Sequence, residues 1–277
     1  MSKLKINYSG IRIRPSSING FYNCAYQWAK IFLEGQSSVP GARAAIGTSI
    51  HKGAEVFWNE AISSRRKDAP IDVLTDAAME AFKEESQNGL QYDDGEDANT
   101  AEKTIIQGVN VFVSDIAEFT PIPTAVEMFL KVDIEHPLVA EIGGTLDYYS
   151  AEQRVIADLK TSKRKPTPSN YVTQQSTYKY LAEANGLKVE HNHIQGVILK
   201  ANPEGLVLPM ETNIPQTKHL INHMLDVLEV AVQDKVPLEL LFPGNPNYYL
   251  CSNKYCSQYN TCKFANGEIP VTKGVKL

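Results

Sequence analysis

Two carboxylates and a lysine lie close together in the middle of the chain, on two segments with the pattern of β-strands. Asp147 follows Gly143-Gly144, and Asp158-Leu159-Lys160 ends the apolar run Val155–Ala157. Alternate side chains of a strand face the same side, so Asp158 and Lys160 should project together. Carboxylates can hold the divalent ions that assist phosphodiester cleavage, and a nearby lysine can stabilise the developing charge. The spacing therefore predicts a metal-dependent site for phosphodiester hydrolysis.

An Asp-x-Lys pattern is common by itself, and an ion pair on the surface of a sheet is the alternative interpretation. The surroundings favour a functional site, because an apolar run typical of a buried strand ends here in two ionisable residues. Gln174 and Tyr178 lie one turn apart on a predicted helix that follows. His51, on an earlier predicted helix, could complete the ligand set of a metal through a neutral imidazole.

Four cysteines lie near the two ends of the chain: Cys24, and then Cys251, Cys256 and Cys262. The first residues lack the apolar stretch of a secretory signal. We therefore expect a cytoplasmic protein, in a compartment where cysteines bind metals more readily than they form disulfides. Four thiolates suit either a [4Fe–4S] cluster or a structural Zn²⁺. The sequence predicts a metal-bound C-terminal region, 236–277, that is tied back to Cys24.

The charge of the chain limits how it could meet nucleic acid. A net charge of −5 argues against a protein that coats nucleic acid through a broad basic face. A local cluster of basic residues nevertheless follows the proposed catalytic strand, at Lys160, Lys163, Arg164 and Lys165. The acidic segment 93–97 lacks the ordered spacing of a calcium loop, and we expect it to be solvated. No apolar run is long enough to span a membrane. The sequence contains no Gly-rich phosphate-binding loop, so we do not expect it to use ATP.

Apolar periodicity predicts the order of the elements. An apolar stripe from Ile18 to Phe32 predicts a helix that starts near Pro15 with a serine cap. Further helices are predicted at 47–61, 71–85, 98–118, 170–184 and 217–232, and strands at 124–134, 139–149, 154–160, 191–200 and 206–211. We expect one domain over 1–277, with a helical part (1–120), an α/β core with a mixed sheet (121–235) and the cysteine region.

The residues above occur in a recognisable order: His51, Glu127, Asp147, Asp158-x-Lys160 and Gln174-xxx-Tyr178. This order resembles the RecB-like branch of the PD-(D/E)xK nuclease superfamily, over roughly Arg14 to Lys263. The cysteines resemble those of its iron–sulphur members, which include CRISPR-associated exonucleases, the nuclease domain of AddB and phage recombination exonucleases. Two features differ. Thr145-Leu146 replaces the proline of the superfamily's name, and the C-x4-C-x5-C spacing has a longer first gap than those members show.

The resemblance implies a restriction-endonuclease-like α/β core with a mixed central sheet flanked by helices. It implies a metal-dependent exonuclease that acts on single-stranded DNA ends in recombination or repair, with a possible partner protein, in a prokaryotic or phage-infected cell. A non-catalytic DNA-end-binding module and a structure-specific endonuclease are the alternatives.

The resemblance also implies a role for each residue. Mg²⁺ or Mn²⁺ would be bound by His51, Asp147 and Asp158, and further ligands would be the Leu159 backbone carbonyl and Glu127. Lys160 would be the catalytic lysine, and Gln174 and Tyr178 would position DNA or that lysine. The cofactor at Cys24, Cys251, Cys256 and Cys262 would be a [4Fe–4S] cluster, with structural Zn²⁺ as the alternative.

Overall fold

The structure is a computed structural model of the chain, and it describes residues 10–36, 40–232 and 238–268. The chain divides into two compact units. We call the first the terminal unit, whose described residues come from Met1–Ser38, Lys131–Gly143 and Ile214–Leu277. We call the second the core unit, formed by Val39–Leu130 and Gly144–Asn213. The single domain expected over 1–277 stays a prediction.

Helices and strands follow one another much as the periodicity predicts. In chain order they are β1 (Ile11–Ile13), α1 (Pro15–Asn23), α2 (Ala25–Phe32), α3 (Ala42–Ser64), α4 (Ile71–Ser86), α5 (Ala98–Val111), a π-helical turn (Phe112–Ala117), β2 (Ala125–Asp133), β3 (Val139–Ser150), β4 (Val155–Ser162), α6 (Val172–Ala184), β5 (His191–Ile198), β6 (Glu204–Met210), α7 (Ile214–Val232) and α8 (Leu238–Leu241). Short 3-10 turns lie at Pro168–Asn170 and Tyr259–Thr261.

The sheet is mixed, and this confirms the predicted α/β class. Its strand order is β1-β3-β4-β5-β6, and β2 pairs with β3. The β3–β4 and β5–β6 pairs are antiparallel, whereas β1–β3 and β4–β5 are parallel. Helix α6 connects the parallel strands β4 and β5, as a crossover between parallel strands requires. The β4–β5 register sets Asp158 opposite Ile194 and Lys160 opposite Gly196.

Two glycines of the core unit allow α3 to lie close to its neighbours. A Cβ on Gly47 would lie 2.9 Å from Thr161 Oγ1, so glycine lets α3 approach the end of β4 without displacing the threonine side chain. His51 follows one turn later on the same side of the helix. Gly108 of α5 gives Ile50 comparable room, because a Cβ there would overlap the Ile50 side chain. The sequence thus lets α3 pack tightly enough to bring His51 to the sheet.

Aromatic side chains fill the core behind that helix. Phe57, Trp58 and Phe112 meet edge to face, with ring centroids 5.0–5.8 Å apart, and Trp58 contacts Tyr148 at 5.7 Å. The Tyr148 hydroxyl donates to the Pro121 carbonyl oxygen at 2.9 Å, which satisfies its polar end. This cluster fixes α3 and β3 relative to each other within the core unit.

The N-terminal part of the terminal unit differs from its prediction. The stripe from Ile18 to Phe32 forms two helices, because Cys24 is extended (φ −157°, ψ 90°) and separates α1 from α2. Helix α1 begins at Pro15 and is capped by Arg14 without a side-chain hydrogen bond, so the predicted serine cap is wrong. Strand β1 was not predicted, since three residues are too few to show a period.

Candidate active site

Three side chains of the core unit form a group with the spacing of metal ligands. They are His51 of α3, Glu127 of β2 and Asp147 of β3, whose donor atoms all lie within 4.8 Å of one another. His51 Nδ1 is 3.6 Å from Asp147 Oδ2. One imidazole nitrogen and two carboxylates form a donor set that suits a divalent cation.

A main-chain hydrogen bond holds Asp147 in place. The Leu159 backbone N–H donates to Asp147 Oδ2 at 2.7 Å, so β4 orients the carboxylate that β3 supplies. The predicted use of the Leu159 carbonyl as a metal ligand stays a prediction. Burial raises the pKa of Asp147 above its ordinary value, and the negative charge of Asp158 raises it further. A bound cation would stabilise the ionised form of this carboxylate.

Asp158 lies beside this group rather than in it, and two side chains hold it. Its side chain is buried, with 3% of the residue exposed. Oδ1 accepts a hydrogen bond from Gln174 Nε2 at 3.1 Å, and Oδ2 forms an ion pair with Lys160 Nζ at 2.6 Å. Oδ2 has no well-aligned hydrogen bond. Asp158 and Lys160 therefore project together, as the strand period predicts, whereas Gln174 contacts Asp158 rather than the lysine.

Lys160 is held in its charged form. Burial lowers the pKa of its ammonium group, but the attraction of Asp158 and then Asp147 outweighs burial, so the net pKa lies above the ordinary value. The same ammonium group lies 5.8 Å from the ring centroid of Tyr171, which precedes α6. Tyr171 was missed from the sequence, because only the folded chain brings it to the lysine.

Tyr178 lies one turn beyond Gln174 on α6 and is buried. Burial raises the pKa of its phenol, and the charges of Asp158, Asp147 and Glu127 raise it further, so the hydroxyl stays protonated. This makes Tyr178 a hydrogen-bond donor beside the acidic group. The structure thus brings together all eight residues that the sequence suggested for this site, although their individual roles stay predictions.

Glu127 has an unusual backbone for its position in a strand. Its φ of 47° is in the left-handed region, which costs a residue with a Cβ about 1–2 kcal/mol. Such a conformation persists only where the surroundings enforce it, and it often marks a functional residue. The residue is exposed to solvent. Even so, crowding by protein atoms raises the pKa of its carboxyl to about 7, with help from Asp147 and Glu55.

An open cleft gives access to these residues. It is bounded by α3, α4 and the end of β4, and its walls include Arg43, Lys52, Glu55, Glu80 and Glu84. None of these five was singled out from the sequence. Glu55 could have been, because it follows His51 by four residues and so lies on the same side of α3. Arg43 and the α4 residues reach the cleft only through packing.

The donor set fits a divalent metal. Burial, followed by neighbouring negative charges, raises the pKa of both Glu127 and Asp147, and a bound cation would offset the repulsion between these charges. Asp158 Oδ2 is buried and lacks a well-aligned hydrogen bond, so it could also turn to a cation. His51, Glu127 and Asp147 would hold the ion, with Asp158 next to them.

Glu127→Gln should stabilise the metal-free protein at about pH 8. The carboxyl has an ordinary pKa of 4.5 when unfolded and about 7 when folded, so folding favours its protonated form. Its contribution to stability is complete below about pH 4.5 and is lost as the pH rises through about 7. Glutamine avoids that loss, so melting temperatures should converge near pH 4.5 and diverge above it.

Two comparisons check this prediction. Glu152→Gln, in the exposed turn between β3 and β4, should give no such pH-dependent gain. Saturating Mg²⁺ or Mn²⁺ should reverse the order of stability, because the wild type would gain more from the metal. A glutamine variant that melts like the wild type at every pH would show that the Glu127 carboxyl is not crowded as described.

The four cysteines of the terminal unit line one small cavity, together with Tyr26, Tyr248, Tyr259 and Phe264. The extended backbone of Cys24 places it there, and the Asn23 carbonyl accepts a hydrogen bond from the Asn245 side chain at 3.0 Å beside it. Burial, followed by neighbouring cysteines, raises the pKa of Cys251. All four are free thiols, as the metal-ligand prediction requires.

Four cysteines that share one cavity could hold either of the two cofactors considered, a [4Fe–4S] cluster or a structural Zn²⁺.

Within the residues that the structure describes, no helix is both long and apolar enough to cross a bilayer.

Comparison with known proteins agrees with this geometry. The family model described as the PD-(D/E)XK nuclease superfamily matches residues 12–263. A crystal structure from Eubacterium rectale, provisionally described as an exonuclease, aligns over 100% of this chain and 97% of its own, with a TM-score of 0.53 and 14% identity. At that identity the likeness concerns the fold alone. The crystal structure of SSO0001 aligns over 88% and 96% of the two chains, with a TM-score of 0.34 and 12% identity, which is too low to carry an argument. No curated protein matches the chain.

Proposed function

Because the chain belongs to the PD-(D/E)XK nuclease superfamily, we propose that it is a Mg²⁺- or Mn²⁺-dependent deoxyribonuclease that digests DNA from single-stranded ends. The observation that carries the proposal is the metal-ligand group of His51, Glu127 and Asp147 beside the Asp158–Lys160 ion pair. The description of the Eubacterium rectale protein as an exonuclease supports the choice of exonuclease over endonuclease. A role in recombination or repair, together with a partner protein in a prokaryotic or phage-infected cell, completes the proposal.

The residues of the site divide the work of hydrolysis. When bound, a divalent ion supplies charge neutralisation at the phosphate and lowers the pKa of a bound water. Lys160, kept charged by Asp158, offers its ammonium group to the charge that grows on the phosphoryl oxygens. Gln174 fixes Asp158 through its hydrogen bond, and Tyr178 supplies a protonated hydroxyl nearby. Asp147 is oriented in advance by the Leu159 N–H.

We assign the cysteine cavity to a [4Fe–4S] cluster with a structural role. Four free thiols that share one cavity support this choice, together with the resemblance of the cysteines to those of iron–sulphur nucleases. The cluster would join the break between α1 and α2 to the C-terminal segment within the terminal unit.

End-labelled linear and circular single-stranded DNA, incubated with Mn²⁺, tests the catalytic proposal. The wild type should degrade the linear strand and spare the circle, whereas Asp158→Asn should degrade neither, because it removes the charge that holds Lys160. Chelation of the metal should stop the wild type. Cleavage of the circle would instead identify an endonuclease. If the wild type binds DNA ends but cuts nothing with either metal, the chain is a binding module.

A further inference from the structure

Two cations of the core unit, Arg43 and Lys163, are held by an acidic segment that the catalytic proposal does not use. Arg43 stands at the start of α3 and lines the cleft. Lys163 follows the end of β4, three residues after Lys160. Their partners, Asp93 and Glu96, lie in the segment 93–97, which we call the acidic loop. The sequence predicted this loop to be merely solvated.

The contacts resemble those that arginine and lysine make with phosphate oxygens. Arg43 Nε donates to Asp93 Oδ2 at 2.5 Å, and Nη2 of the same guanidinium pairs with the same oxygen. Glu96 Oε1 lies 3.5 Å from Arg43 Nη2 and also accepts from Lys163 Nζ. One carboxylate oxygen therefore bridges the two cations, as an oxygen of a DNA phosphate could.

The loop is held in place independently of these side chains. The Ala42 N–H donates to the Gln91 carbonyl at 2.8 Å, and the Gln91 N–H donates to the Pro40 carbonyl at 3.0 Å, so main-chain bonds attach the loop to the start of α3. Gly95, with φ of 77°, allows the turn in which the Glu96 N–H donates to the Asp93 carbonyl. Main-chain hydrogen bonds therefore position the loop beside Arg43 in addition to the ion pairs.

Asp97, the last residue of the acidic loop, has a different role, because its carboxylate accepts a hydrogen bond from the Thr100 N–H and caps α5.

The two carboxylates and the two cations that they pair with differ in exposure. The side chains of Asp93 and Glu96 are each 18% exposed, whereas those of Arg43 and Lys163 are 47% and 51% exposed. The cations are therefore accessible to an incoming anion, while the carboxylates face them from the protein side.

We propose that Arg43 and Lys163 bind the DNA backbone at the cleft and that Asp93 and Glu96 occupy them as an internal phosphate mimic. The inference rests on the proposed function and identifies how that site receives its substrate. Ion pairs this exposed are weak, and DNA binding gains from the release of counterions, so a DNA phosphate can displace the carboxylates. The loop then acts as a gate that admits DNA only when several phosphates engage the cleft together.

The double variant Asp93→Asn/Glu96→Gln tests the gate, since it keeps the shape of both side chains and removes their charge. The dissociation constant of a fluorescently labelled single-stranded oligonucleotide, measured with Ca²⁺ to prevent cleavage, should fall about threefold to tenfold. The gain should appear in KM rather than in kcat when cleavage is measured with Mn²⁺. Arg43→Gln should weaken binding. The double variant should tighten DNA binding less in the Arg43→Gln background than in the wild type, because one of the cations that it frees is then missing.

A matched control separates the gate from a general change in charge. Asp68→Asn/Glu190→Gln also removes two negative charges, and it releases Arg66 and Arg154, neither of which lines the cleft. It should tighten binding much less. If the loop variant binds DNA no tighter than this control, or binds it more weakly because the loop orders Arg43, the gate is refuted. Cleavage by the wild type would still support the proposed nuclease function in that case. A wild type that binds no DNA refutes both.

Discussion

Lys160→Met should lower the rate of DNA cleavage by roughly 10²–10³ while DNA binding stays within a fewfold of the wild type. The ammonium group is paired with Asp158 at 2.6 Å and is kept charged there, beside the carboxylates that would hold the metal. Its contribution belongs to the charge that develops during hydrolysis, so its loss should affect kcat more than KM. Single-turnover cleavage with saturating enzyme measures the chemical step directly.

Lys52→Met provides the matched control. Lys52 lines the same cleft, but its ammonium group pairs with Glu55 at 2.8 Å rather than with Asp158. This variant should lose roughly threefold in rate at most, because an exposed pair of this kind is weak. If both methionine variants were slowed equally, the cleft would need positive charge in general, and Lys160 would have no special role.

A second replacement keeps the test informative if the methionine variant folds poorly. Removing Lys160 leaves the buried Asp158 without its cation, and an unpaired buried charge destabilises a protein. Lys160→Arg keeps the charge and so should keep the melting temperature. The guanidinium cannot reproduce the position of a compact ammonium group, so cleavage should still fall by a large factor. An arginine variant with wild-type activity would remove Lys160 from the mechanism.

Cys24→Ser should abolish the visible absorption of the purified protein and lower its melting temperature by roughly 6–12 °C, the equivalent of about 3 kcal/mol. The replacement changes one atom, so packing alone should cost little. A lost ligand, in contrast, releases the C-terminal segment from the break between α1 and α2. Absorption spectra, iron content and thermal unfolding of anaerobically prepared protein measure the three consequences together.

Ser257→Ala is the control for the cysteine. This side chain is exposed and lies one residue from Cys256, so the same kind of small change is made without touching a thiol. Colour, iron content and melting temperature should all match those of the wild type. If Cys24→Ser also retained them, the cysteine cavity would hold no cluster. Zinc in place of iron in the wild type would instead favour the mononuclear alternative.

Local patterns made much of this protein predictable. The apolar run of β4 and the 3.6-residue period of α3 and α6 depend only on neighbouring residues, so most of the elements and their order were recovered. The same periods set Asp158 and Lys160 on one side of a strand, and Gln174 and Tyr178 on one side of a helix. The periods therefore grouped these four residues, and the resemblance to the nuclease superfamily grouped them with His51 and Glu127.

Predictions failed where a long-range contact decides the local conformation. Cys24 lies in a sequence with good helical periodicity, yet its backbone is extended where the C-terminal segment packs against it. The pattern of residues 15–32 does not predict that break, because the contacts with Cys24 come from a segment more than two hundred residues away.

The sequence by itself determined which side chains are candidates for the site, because residue type and strand or helix period are local properties. The tertiary structure alone decided how they are grouped. It groups Glu127, whose own backbone is left-handed, with His51 and Asp147, and it pairs Asp158 with Lys160 beside that group. It also sets the acidic loop against Arg43 and Lys163. These choices depend on the packing of separate elements, which no local period records.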